Sequence, residues 1–138
     1  MDSLPIPYYQ SVSLSVGYMV KIKANVQCPC GNNPEFVVDF CTGIGEGKSI
    51  AFHFRVYTNS TVVMNSFQEG EWQEEKRVFS DLFTPGQPFE LRFLVLDNGY
   101  QVFVNNKSTY LFAHRLPLQS VKMLEVRGDI VLTSVDTL

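Results

Sequence analysis

A group of side chains suited to hydrogen bonding lies between residues 53 and 77, around the only tryptophan of the chain. It comes from three neighbouring segments, AFHFRVY, TVVMNSF and EWQEEKR, and consists of His53, Arg55, Tyr57, Asn65, Trp72, Glu75 and Arg77, with the apolar Val63 on the same strand face as Asn65. Planar polar groups bind hydroxyl groups as donors and acceptors, and an aromatic ring stacks on an apolar ligand face. This combination is typical of a carbohydrate site. A sheet face that only contacts water is the alternative that composition leaves open.

Trp72 stands among charged and polar neighbours that are rarely buried. It is therefore either the one inward residue of an amphipathic strand or an exposed ring that stacks on a ligand. The polar residues of the two preceding segments favour the exposed ring. For those residues to meet, the three segments must be neighbouring strands of one sheet.

Hydrophobic alternation with a period of two dominates the chain. In SIAFHFRVY, one strand face carries Ile50, Phe52, Phe54 and Val56, and the residues between them lie on the other face. PFELRFLVL repeats the pattern. Such alternation predicts strands with one face in a core. Turn signals such as TGIGEGKS, TPGQP and LDNGY separate about ten short strands, and LPLQSV predicts one short helical turn. The sequence predicts an all-β fold, an antiparallel β-sandwich, as a single domain over residues 1–138.

Bulk properties exclude several classes of function. The net charge is −3 and the sequence pI is near 5.3, and no basic cluster occurs, so nucleic acid is not an expected partner. No apolar run is long enough for a transmembrane segment, and MDSLPIPYYQ lacks the features of a secretory signal. The cysteines, Cys28, Cys30 and Cys41, fit a reducing compartment. We expect a cytoplasmic protein, with leaderless secretion to the extracellular space and the nucleus as open alternatives.

Motifs for catalysis or for a bound cofactor are incomplete. TGIGEGKS has Thr42 where a phosphate-binding loop needs its first glycine, and a strand pattern rather than a helix follows it. Cys28 and Cys30 with one histidine fall short of a zinc set, the carboxylates are too scattered for calcium, and no nucleophile elbow is present. The sequence predicts no enzymatic activity, no metal and no cofactor.

Short motifs known from other proteins also occur. Arg127-Gly128-Asp129 spells the tripeptide that integrins bind, but it lies between apolar MLEV and IVLTSV. A tight connection between two strands is therefore the favoured interpretation. The glycosylation sequons that begin at Asn59 and Asn106 are expected to be turns.

At the polar cluster the sequence resembles the galectins, whose sugar site combines H-x-N-x-R, V-x-N and W-x-x-E-x-R on three successive strands. The corresponding segments here are HFRVY, VMN and WQEEKR, in the same order. The resemblance covers nearly the whole chain, through FVVDF, PGQPFEL, YQVFVN, FAHRLP and GDIVLTS. It is strongest to single-domain prototype galectins, namely those of ruminant mucosa and of the placental and eosinophil branch.

The resemblance implies a jelly-roll sandwich and assigns roles to residues of this chain. Trp72 would stack on galactose, and His53 would bond its axial hydroxyl. Asn65 and Glu75 would bond its primary hydroxyl, and Glu75 with Arg77 would reach the second sugar. Because simple alternation puts Trp72 and Glu75 on opposite faces, the family pattern also requires a bend or bulge between them.

Two positions depart from the family motif, since Arg55 replaces an asparagine and Tyr57 replaces an arginine. Incomplete pairing in a polar site costs roughly 1–3 kcal/mol per unsatisfied group. We therefore predict a lectin that binds β-galactoside-containing glycans with weakened or altered specificity. The alternative is a protein-interaction or self-assembly module with vestigial sugar binding. The expected partners are glycans or glycoproteins and, because pairing gives one shallow site avidity, a second copy in a non-covalent homodimer.

Overall fold

Antiparallel β-strands make up almost all of the structure, a computed structural model that describes residues 3–27 and 33–138. The strands are β1 (Tyr8–Ser11), β2 (Met19–Val26), β3 (Glu35–Cys41), β4 (Ile50–Tyr57), β5 (Thr61–Gln68), β6 (Glu71–Trp72), β7 (Lys76–Phe79), β8 (Pro88–Val95), β9 (Gly99–Val104), β10 (Lys107–Ala113), β11 (Met123–Gly128) and β12 (Ile130–Thr137). A single 3-10 turn at Leu118–Ser120 falls within the predicted LPLQSV turn. Cys28 and Cys30 lie outside the described residues.

The strands form two sheets, which confirms the predicted β-sandwich. A seven-stranded sheet has the order β1-β11-β3-β4-β5-β6, with β7 also paired to β5, and a five-stranded sheet has the order β10-β9-β8-β2-β12. In the larger sheet, Asp39, His53 and Asn65 stand opposite one another on β3, β4 and β5. The first two polar segments are therefore direct neighbours, and β6 and β7 from EWQEEKR continue the sheet on the far side of β5.

Aromatic side chains join the two sheets. Phe52 on β4 stacks on Phe112 of β10 with ring centroids 4.5 Å apart, and Phe40 on β3 meets Phe93 of β8 edge-on at 5.3 Å. Burying these large rings supplies much of the apolar area that holds a sandwich together. Their burial also requires that the alternate residues of β3 and β4 face away from the core.

The predicted alternation of β4 is wrong at its first residue. A register shift at the start of the β3–β4 ladder places Ala51 in the core and Ile50 in a cleft beside Trp72. A bulge changes the face to which the next side chain belongs, and the sequence carries no signal for it. From Phe52 to the end of β4 the predicted faces are correct.

The turns follow the sequence signals. Leu96 N–H donates to the Gly99 carbonyl at 2.8 Å in the DNGY hairpin, and TGIGEGKS is the connection between β3 and β4. Asn59 and Asn106 have φ of 58° and 72°, as turn residues do. At Arg127-Gly128-Asp129 the predicted tight connection is Asp129 alone, because Arg127 and Gly128 are the last residues of β11 and β12 begins at Ile130. In the described part of the chain, no helix has the length and apolarity needed to cross a membrane.

Candidate functional site

A groove of about 340 Å³ lies on the outer face of the seven-stranded sheet, and its lining residues are His53, Arg55, Tyr57, Val63, Asn65, Trp72, Gln73 and Glu75. The sequence predicted each of these except Gln73. Arg77 lies beside the groove, where it donates to Glu75 with Nη2 and Oε1 2.7 Å apart, and it lines an adjoining hollow together with Tyr57. The structure therefore brings all the predicted site residues to one region.

Trp72 forms one wall of the groove and is 50% exposed. Its ring centroid lies 4.6 Å from that of His53 and 5.1 Å from that of Phe67, with the Phe67 ring at 69° to its plane. These contacts orient the indole without burying it. The interpretation of Trp72 as the inward residue of a strand is therefore wrong, and the exposed ring is confirmed.

The chain bends between Trp72 and Glu75, as the family pattern required. β6 ends at Trp72 and β7 begins at Lys76, and residues 73–75 belong to neither strand. Gln73 N–H donates to the Ser66 carbonyl at 3.0 Å, and the Asn65 side-chain amide donates to the Gln73 carbonyl at 3.1 Å. These bonds hold the bend against β5 and keep Trp72 and Glu75 in the same groove.

Asn65 owes its orientation to Arg115, which the sequence analysis did not include in the site. Asn65 Oδ1 accepts from Ser66 N–H at 2.7 Å and from Arg115 Nη1 at 3.0 Å. The same guanidinium donates to the Glu74 carbonyl at 2.7 Å. Spacing gives no signal for this contact, because Arg115 follows Asn65 by 50 residues.

His53 is held by Asp39, a buried residue of β3 that was likewise not predicted from the sequence. His53 Nδ1 lies 2.6 Å from Asp39 Oδ1, and Asp39 is 1% exposed. Arg127 donates to Asp39 Oδ2 at 2.8 Å and to Glu125 at 3.0 Å. Burial by itself lowers the pKa of Arg127, but the hydrogen bond and charge of Asp39, with those of Glu125, raise it above its ordinary value.

Arg55 has its guanidinium tied to one side of the groove. It pairs with Glu35, and its guanidinium carbon lies 5.2 Å from the centroid of the Tyr57 ring, within the range of a cation–π contact. Among the described residues, its Nε is buried and has no hydrogen-bond partner. The two residues that depart from the family motif therefore contact each other within the groove.

A cluster of Asp39, Cys41 and Glu125 lies beside the groove, with potential ligand atoms within 4.8 Å of one another. Burial first, and then the charge of Asp39, raise the pKa of the Cys41 thiol to about 12. The thiol is therefore protonated at neutral pH and is a poor metal ligand. Arg127 and Lys48 already supply positive charge to the two carboxylates, so the cluster fits an ion-pair network.

Comparisons with known proteins agree with this geometry. A family model described as galactoside-binding lectin matches residues 7–137. Human galectin-16 is 44% identical over 98% of this chain and 95% of its own length. The structure of sheep galectin-11 in complex with glycerol has a TM-score of 0.95 and 65% identity, covering 99% of this chain and 100% of that chain. A structure of human galectin-16 R55N has a TM-score of 0.94 and 42% identity, covering 100% of this chain and 99% of that chain.

Proposed function

The chain belongs to the galectin family of galactoside-binding lectins, and we propose that it binds β-galactoside-containing glycans in the groove between His53 and Glu75. Trp72 stacks on galactose, His53 bonds the axial hydroxyl, and Asn65 with Glu75 bonds the primary hydroxyl. Arg77, which is paired with Glu75, reaches the second sugar. The observation that carries the proposal is the half-exposed Trp72 ring beside the polar atoms of His53 and Asn65 in one groove.

We further propose that this binding is weak or shifted in specificity. The pair formed by Arg55 and Glu35 and the contact of Arg55 with Tyr57 occupy the part of the groove where the family motif has an asparagine and an arginine. A sugar must displace these contacts or leave some of its hydroxyl groups unpaired. Each unpaired group costs roughly 1–3 kcal/mol, so two such positions cost about thirtyfold or more in affinity.

Restoring the family pattern tests both proposals. We expect Arg55→Asn to raise lactose affinity about tenfold, and Arg55→Asn with Tyr57→Arg to raise it further, because each change returns one pairing group. Trp72 is the only tryptophan, so its fluorescence during a lactose titration reports on this groove. The matched control is Arg92→Asn, which breaks a comparable arginine–glutamate pair on β8, in the other sheet. No change in lactose affinity is expected for it.

A protein-interaction or self-assembly module with vestigial sugar binding is the second candidate function. It is favoured by one observation, namely that side chains of the protein itself fill part of the groove through the Glu35–Arg55–Tyr57 contacts. A folded protein that shows no saturable response to lactose or to a glycan array, in the native form and in the double variant, would contradict the lectin proposal and support this one.

Three broader properties belong to the same proposal. We propose that the protein assembles as a non-covalent homodimer and has no catalytic activity. We also propose that it resides in the cytoplasm, with the nucleus and the extracellular space as the alternative locations. The free, buried Cys41 supports a reducing compartment of synthesis. Fractionation of expressing cells and their medium, followed by detection with an antibody, tests the location.

A further inference from the structure

A series of side chains with alternating charge ends at the groove. It includes residues of two motifs that have no role in the proposed function, TGIGEGKS and Arg127-Gly128-Asp129. Lys48 of the first motif donates to Glu125 at 3.2 Å. Arg127 of the second donates to Glu125 at 3.0 Å and to Asp39 at 2.8 Å. Asp39 in turn lies 2.6 Å from His53 Nδ1. This series of contacts therefore leads from Lys48 and Arg127, near the surface, to His53 in the groove.

Asp39 is the buried residue that links Arg127 to His53. Its side chain is 1% exposed, whereas that of Arg127 is 36% exposed. A buried carboxylate needs a hydrogen-bond partner for each of its oxygens, because burying an unpaired charged group is costly. Arg127 supplies this partner through a charge-assisted hydrogen bond to Oδ2, which fixes the carboxylate with Oδ1 facing His53.

The carboxylate of Asp39 determines which nitrogen of His53 carries the proton. A carboxylate has only acceptor atoms, so the short contact at Nδ1 requires a proton on Nδ1. In a neutral imidazole the other nitrogen, Nε2, is then a bare acceptor. Because Nδ1 is turned to Asp39 while the ring lines the groove, Nε2 is the nitrogen left for a ligand.

We propose that Arg127 is a positioning residue of the sugar site. By pairing with Asp39 and fixing its carboxylate opposite Nδ1, it holds His53 in the Nδ1-protonated tautomer, and Nε2 accepts a hydrogen bond from a galactose hydroxyl. The identity of the bonded group rests on the proposed function. The tautomer does not, because it is a property of the protein without ligand. Arg127, the arginine of the integrin-like tripeptide, thus acts on the sugar site indirectly, through the buried Asp39.

Nuclear magnetic resonance of the imidazole nitrogens tests the proposal directly. The chain has two histidines, His53 and His114, and two-bond nitrogen–proton correlations distinguish the tautomers of each. At neutral pH and without sugar, we expect the Nδ1-protonated form of His53. In Arg127→Gln we expect a substantial population protonated on Nε2, because Asp39 loses the charged donor that fixes its carboxylate opposite Nδ1.

Two further variants separate positioning from a general effect of charge. Arg127→Lys retains a cation at Asp39 and is expected to keep the native tautomer. Arg92→Gln removes a comparable arginine from the other sheet and is also expected to keep it. Galactoside affinity should fall roughly tenfold in Arg127→Gln and stay unchanged in Arg92→Gln, since one hydrogen bond to the ligand is lost.

The proposal is overturned if unliganded native His53 is protonated on Nε2 at neutral pH, or if folded Arg127→Gln keeps the native tautomer. If Arg127→Gln does not fold, the native protein and Arg127→Lys still decide, because loss of the Nδ1-protonated form in either contradicts the proposal. A native protein that binds no sugar but has the expected tautomers would overturn the proposed function and leave the role of Arg127 supported.

Discussion

The guanidinium of Arg115 donates hydrogen bonds to three groups at once, and this makes it the residue that fixes the amide of Asn65. It donates to Asn65 and Ser66 at 3.0 and 3.2 Å and to the Glu74 carbonyl at 2.7 Å, and it lies 4.7 Å from the Phe112 ring centroid. With Asn65 Oδ1 engaged, the amide NH₂ donates to the Gln73 carbonyl. Under the proposed function, we expect its second N–H to donate to the ligand.

Replacing Arg115 by methionine tests this orientation. We expect Arg115→Met to keep the packing on Phe112 but to reduce lactose affinity about fivefold to tenfold and stability by about 1–3 kcal/mol, because Asn65 loses its donor and the Glu74 carbonyl loses its partner. Fluorescence titration and urea unfolding measure the two effects. Arg115→Lys retains one charged donor group, so its affinity and stability should lie between those of the native protein and Arg115→Met. Unchanged affinity in folded Arg115→Met would show that Asn65 is oriented without it.

At the scale of elements, the connection between β11 and β12 packs too closely for any residue but glycine. Gly128 has a φ of 122°, and a Cβ there would lie 2.5 Å from Phe36 Cα and 2.6 Å from the Glu35 carbonyl oxygen. Asp129 accepts from Glu35 N–H at 3.0 Å. The tripeptide is therefore built into the pairing of β11 with β3, in contrast to an exposed loop tip.

Gly128→Ala should accordingly destabilise the protein by roughly 3 kcal/mol or more, since a backbone clash adds to an unfavourable φ. The matched control is Gly17→Ala. Gly17 also has a positive φ, 95°, but open space around its Cα, so only the conformational cost of about 1–2 kcal/mol is expected. Urea unfolding of both variants gives the comparison. Equal losses of stability in the two variants would mean that the close approach of Gly128 to β3 relaxes at little cost.

Elements with regular alternation were predictable, and irregular ones were not. The face of β4 that carries His53 and Arg55 follows from a period of two. The shift that moves Ile50 out of the core depends on pairing with β3, which local sequence does not encode. The same holds within the site, because Asp39 and Arg115 reach His53 and Asn65 only through the tertiary fold. Residue types were thus visible in the sequence, but their donor and acceptor roles were not.

For the whole molecule, the two sheets leave edge strands whose backbone groups are open to pairing. β1 is at one edge of the seven-stranded sheet, and β10 and β12 are at the edges of the other. Tyr9 on β1 and Val131 on β12 are 52% and 41% exposed. Such edges are where chains add to one another through backbone hydrogen bonds. They give the proposed homodimer a physical means of assembly.

We expect the dimer to form without a disulfide, and the structure supports this for Cys41, the one cysteine among the described residues. Cys41 is 0% exposed, and its thiol pKa is raised to about 12, first by burial, so little thiolate exists at neutral pH and none of it is accessible to a second chain. Sedimentation over a range of concentrations, with and without reductant, measures the assembly. The same dimer should appear in both conditions. A monomer at tens of micromolar would contradict the homodimer, and a dimer that reductant abolishes would contradict its non-covalent character.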